Sequence, residues 1–334
     1  MLRAILVCAA LGMAATMSAS GALAQTYSPP RTPDGKPDLQ GMWTNSSITT
    51  LERTNASLPL VLNAEQVKRM EDTRAQQSAA DAAQTKTQAA PPAGRDPGGY
   101  NQFWLDRGTV VGKVKGEARS SWITEPANGK MPVSDEGKKR IAVIMSKRNE
   151  EGPEGMNPAD RCLVGSRGSG GPPMLNNLYN NTYQIVQTPG AVMIDVEMMH
   201  DARIIRIGGH AKPDALKQWL GDSVGRWEGD TLVVTTTGWN RWHGDYEPIY
   251  LSEKAVVTER FTRTGKEEIT YAFEVNDPGF YSQPWKGEMV FTPSNGPVYE
   301  YACHEGNYAL HGILSGARIN DAKGVKSKAG PSGE

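Results

Sequence analysis

From Tyr183 to about Ala317 the chain repeats one pattern, short runs of β-branched and aromatic residues between turn signals. The runs read TYQIVQT, AVMIDVEM, ARIIRI, TLVVTTTGW, AVVTERFTR, EEITYAFEV, KGEMVFT and VYEYACHE. Pro189-Gly190, Glu228-Gly229-Asp230, Thr264-Gly265-Lys266 and Asn295-Gly296-Pro297 punctuate them. Strands spaced by turns with little helix between them predict an antiparallel meander. Closing such a meander removes its edge strands. The expected fold is therefore mainly β, an antiparallel up-and-down, lipocalin-like β-barrel with N-terminal helical and extended additions.

The N-terminal half has a different pattern. Residues 25–62, rich in Pro, Asn, Ser and Thr, predict an extended arm docked by Trp43. Residues 63–80 predict a helix with Asn63 as N-cap and Gln66 completing a capping box. A low-complexity run follows to Gly99. Two strand-like pieces, Gly108–Val114 and Ser120–Thr124, precede a second helix over 134–150 capped by Ser134. Residues 152–173 form a long Gly/Pro loop, a type that is usually functional or disordered. The expected organisation is a signal peptide at 1–24, an extended and helical region at 25–173, the barrel at 174–320 and a disordered tail at 321–334.

Compartment comes from the first residues. Arg3, an apolar run over 4–19 and the small-residue site Ala22-Leu23-Ala24 match a cleaved secretory signal. Cleavage after Ala24 leaves 310 residues, in a periplasmic or secreted protein. No later run reaches the length of a membrane helix. With 36 Lys and Arg against 37 Asp and Glu, and no basic block, the chain lacks the footprint of a nucleic-acid binder. The expected partner is a small molecule, without a stable membrane anchor, and the oligomeric state is open.

Cys8 falls in the signal, leaving Cys162 and Cys303. In an oxidising compartment two cysteines most simply pair, and closing so long a loop removes about 4–5 kcal/mol of unfolded-chain entropy. A buried free pair and a metal site are the alternatives, although no C-x-x-C spacing supports a metal.

Several stretches carry a resemblance: PDLQGMW (37–43), SWITEPANGKMP (121–132), NPADRCL (157–163), YNNTYQIVQTPG (179–190), EMMHDARII (197–205), QWLGDSVGRWEGDTLVV (218–234) and YEYACHEGNY (299–308). Together they resemble a family of secreted bacterial proteins over most of the mature chain. The resemblance implies export and brings no activity with it.

Chemistry concentrates in two places. In Glu197–His200–Asp201–Arg203, a carboxylate, an imidazole and a guanidinium at a strand end suit acid–base work and anion binding. The plainer reading is a solvated face, with Asp201 making a turn and Arg203 paired to a carboxylate. In Cys303-His304-Glu305-Gly306-Asn307-Tyr308, a bond to Cys162 would bring Arg161 to His304, Glu305 and Tyr308. The plainer reading there is a capped, disulfide-pinned strand end.

Tyr179, Asn180 and Asn181 are ligand-contact candidates, although such residues more often form turns. Arg226-Trp227 reads as a hairpin with a core aromatic. Trp239, Trp242 and His243 lie in an aromatic segment with the composition of a binding-loop lid. No compact His and carboxylate metal signature, nucleophile elbow or dinucleotide fingerprint is present, so no metal or cofactor is expected.

The sequence thus points to an exported enzyme doing lyase, isomerase or hydrolase chemistry on a small, partly apolar organic molecule in a barrel cavity. His200 or His304 would be the acid or base, Glu197 and Glu305 their partners, and Arg161 and Arg203 the charge stabilisers. The alternative is a non-catalytic carrier of lipocalin-like shape.

Overall fold

The computed structural model describes residues 27–87, 105–147, 156–165, 168–213, 216–240, 248–306 and 308–325. Residues 1–26 (which include the segment read as a signal), most of the low-complexity run, Trp242, His243 and the last nine residues lie outside them. In chain order the elements are β1 (Gly41–Thr44), α1 (Ala64–Thr87), β2 (Lys113–Val114), β3 (Glu117–Ala118), β4 (Ile123–Glu125) and α2 (Asp135–Lys147). There follow β5 (Thr182–Gln187), β6 (Ala191–Val196), β7 (Asp201–Ile207), β8 (Asp222–Glu228) and β9 (Thr231–Thr237). Then come β10 (Val256–Gly265), β11 (Glu268–Asn276), β12 (Trp285–Pro293) and α3 (Tyr308–Ala322).

Strands β5 to β12 pair in sequence, and β1 closes the ring by pairing with both β5 and β12. The result is a closed barrel of nine strands. An odd ring cannot be antiparallel at every junction, and here the parallel one is β7–β8, where Arg206 faces Val224 and Ile207 faces Gly225. Residues 208–221 supply the crossover that a parallel pair requires. The mainly β barrel is as the pattern predicts, with this junction as the departure from pure up-and-down order. The ninth stave comes from the N-terminal arm, so the sheet reaches back well before residue 174. Trp43 is buried in that stave, and its indole donates to the Leu39 carbonyl at 3.0 Å.

Alternation fills the barrel. Tyr183, Phe261, Tyr271, Phe273, Trp285, Met289 and Phe291 are all buried, and Tyr271 packs against Phe261, Phe273 and Phe291 at centroid distances of 4.9–5.6 Å. The segment around Met174 crosses the barrel: the Met174 amide donates to the Tyr271 hydroxyl at 3.0 Å, and Tyr183 donates to the Ser169 carbonyl at 3.0 Å.

The helix starts follow their caps. Asn63 and Gln66 exchange side-chain-to-amide bonds of 2.9 and 3.0 Å, and Gly137 donates to Ser134 Oγ at 2.9 Å. Two segments differ from expectation. VYEYACHE, read as a strand, contains no strand; its Tyr299 and Tyr301 amides donate instead to side chains of the turn after β6. The stretch after it forms α3. Among the described residues no helix is long and apolar enough to cross a membrane.

Candidate active site

The turn after β6 is backbone-strained. Glu197 is helical, while Met199 and His200 have φ of 65° and 51°, the left-handed region that side chains with a Cβ rarely occupy. This conformation turns two acceptors toward the C-terminal segment. Buried Glu197 accepts from the Thr182 amide at 3.1 Å and the Tyr299 amide at 3.4 Å. His200 Nε2 accepts from the Tyr301 amide at 3.1 Å. Alternate amides of 299–301 are thus held by two side chains of the turn, three positions apart, which stand in for a strand edge.

Two residues further on, Cys303 is bonded to Cys162. The loop 157–165 is therefore tied to the same corner. There Arg161 is half-buried, whereas His304 and Glu305 are exposed, and Tyr308 is 85% exposed at the start of α3.

Asp201 opens β7 and is the electrostatic outlier of this corner. Its Oδ2 accepts from the Gly165 amide at 2.6 Å. The loop can approach because positions 165 and 170 are glycine: a Cβ at either would lie 3.0–3.1 Å from Oδ2. Burial pushes the Asp201 carboxyl up to about 6; the Gly165 bond opposes this and the Asp195 charge adds to it. A partly exposed carboxylic acid titrating near neutrality can both hold and release a proton at physiological pH.

The other residues singled out in the sequence go elsewhere. Arg203 is inside the barrel, making a bidentate pair with Glu259 at 3.0 and 2.6 Å. Glu259 also accepts from the Tyr271 hydroxyl at 2.8 Å. Burial raises the Tyr271 phenol well above its ordinary value, with the Glu259 charge adding to the effect. Asn180 sits in the turn with φ 55°, and buried Asn181 binds the Asn177 amide and the Asp106 carbonyl. Tyr179 packs against the core. Trp239 is fully buried and donates to the Ala255 carbonyl at 2.9 Å.

Glu259 escaped the sequence reading, although its signal was present: it takes the inward place between Val257 and Phe261 in an alternating strand. Asp201 was visible, but its titration was not, because the burying loop lies 36 residues away in sequence.

Two cavities lie elsewhere, each lined by residues outside this corner. A groove of about 710 Å³ between α1 and the 47–51 and 175–178 segments has Ile48, Leu51, Met70 and Leu175 on its walls with Arg69, Arg74 and Arg107. Its described lining contains no carboxylate. A second cavity, of about 630 Å³, opens where β7 meets β8. Among the described residues, no three His, Cys, Asp or Glu side chains are grouped to hold a metal ion. Compared with protein-family models and with curated proteins, the chain matches none.

Proposed function

We propose that the protein is an exported enzyme that moves protons on a small, partly apolar organic molecule at the corner formed by residues 157–165, 197–201 and 299–305. The observation that carries this reading is Asp201, a carboxyl raised to about 6 beside a disulfide-pinned loop. A group poised near the working pH is what general acid–base catalysis needs. In this scheme Asp201 takes the proton from substrate or returns it, with His304 and Glu305 as the exposed groups that exchange protons with solvent. Arg161 stabilises developing negative charge. Glu197 and His200 are positioning residues, because their acceptor atoms hold the segment that presents His304. Export is supported by the disulfide, which persists in oxidising compartments.

The test is an NMR screen of the mature protein against small esters, lactones, hydroxy acids and uronates. Turnover of one class is expected, with a pH profile that bends near 6 and a loss of at least about 100-fold in Asp201→Asn. Turnover unchanged in Asp201→Asn would overturn the assignment.

One observation favours the carrier reading instead: the groove beside α1, where three arginines face an apolar wall. Its signature would be saturable binding of an organic anion without chemical change, lost in Arg74→Gln and retained in Asp201→Asn.

A further inference from the structure

We infer that the cavity at the β7–β8 junction is a binding site for a small carboxylate with a compact apolar body. The inference does not depend on proton transfer at the corner. It begins with topology. The parallel junction is held by only two paired positions, so the wall is thin there and the cavity reaches Arg203 and Ser223 of the barrel interior.

Arg203 supplies the first argument. Its two terminal nitrogens are committed to Glu259 and Ser223, yet its buried Nε–H has no acceptor among the described residues. A buried donor left unpaired costs on the order of 1–3 kcal/mol, so an acceptor entering the cavity gains what the fold leaves unmade. The side chain is 1% exposed, which sets this donor apart from an ordinary surface arginine.

The second argument is the rim. Arg206 binds Asp222 at 2.6 and 3.0 Å, and the Lys212 amide donates to the same carboxylate at 2.7 Å. Asp222, the one carboxylate among the described lining residues, is thereby taken up, and its own carboxyl is held below the ordinary range, chiefly by the Arg206 bond. The Lys212 ammonium lies at the same rim, 42% exposed, 3.9 Å from Asp222 and donating to Gln218 at 3.3 Å.

Ile204, Trp219 and Leu220 line the same space, and Ile204 is 52% exposed, an unusual place for a large apolar side chain on a barrel's outer face. A volume of about 630 Å³ exceeds the need of a bare oxyanion and suits a carboxylate joined to a ring or short branched chain. A guanidinium behind, an ammonium at the rim and apolar walls between them specify that class of ligand.

The test is isothermal titration calorimetry of the mature protein with benzoate, benzamide and inorganic phosphate. Saturable benzoate binding is expected, at least tenfold tighter than either of the others. Lys212→Gln should weaken it several-fold. Ile204→Glu, a change at an exposed position, should abolish it by placing a carboxylate on the wall while leaving the melting temperature nearly unchanged. Three results would each overturn the inference: no saturable binding, phosphate bound as tightly as benzoate, or benzoate binding that survives Ile204→Glu and is lost in Arg107→Gln, which would move it to the groove beside α1.

Discussion

At the scale of single residues, the fold holds two carboxyls in opposite ways. Glu259 is held in the barrel by Arg203 and Tyr271, which both donate to its carboxyl oxygens. Removing one member of a buried pair strands the other, so Arg203→Met should destabilise by about 3–5 kcal/mol, and the double change with Glu259→Leu by less. Urea unfolding of the single and double variants measures the difference; equal losses would show that the charges are not coupled.

Asp201 has no such partner among the described residues. Its folded value, about 6, lies above its ordinary 3.8, so the native state binds the proton more tightly than the unfolded chain. The stabilisation from this site is complete below pH 3.8 and is lost as pH rises through 6, on the order of 3 kcal/mol in all. Asp201→Asn keeps an acceptor for Gly165 and removes the charge. It should be near neutral for stability at pH 4 and stabilising at pH 8, read by thermal unfolding at both values. A variant less stable than the parent at pH 8 would contradict this.

At the scale of elements, the 299–303 segment depends on side chains rather than on a sheet. Its sequence alternates like a strand, and the pattern alone predicts one. The partner edge is replaced by Glu197 and His200, a substitution no local pattern encodes. His200→Ala should therefore speed amide hydrogen exchange at Tyr301 while exchange in β9–β11 stays as slow as in the parent. Faster exchange throughout the barrel would mean that His200 supports the whole fold rather than this segment.

The capping boxes and most strands were legible because they are local: Asn63 with Gln66, or TLVVTTT, contain their own instructions. The Cys162–Cys303 bond was legible from compartment and cysteine count. The roles of Trp239 and Asn181 were not, since a Trp or Asn has the same local signature whether it meets a ligand or a buried carbonyl.

At the scale of the molecule, parity governs the barrel. The recruitment of β1 makes nine strands, nine strands require a parallel junction, and that junction opens a cavity onto Arg203. None of this is visible in the meander alone, because β1 is four residues long and separated from β5 by most of the N-terminal half. Trp43→Ala should cost about 3–5 kcal/mol. Because β1 bridges β5 and β12, amide exchange in both should rise together; a rise confined to β1 would show that the ring does not depend on this closure.

The same assembly brings the Gly/Pro loop over Asp201, and the functional account rests on that burial. The most direct test is a carboxyl-carbon NMR titration of Asp201 in the purified protein, assigned by comparison with Asp201→Asn. The account predicts a midpoint near 6. A midpoint near the ordinary value of 3.8 would contradict it, leaving the corner without its proton-transfer group.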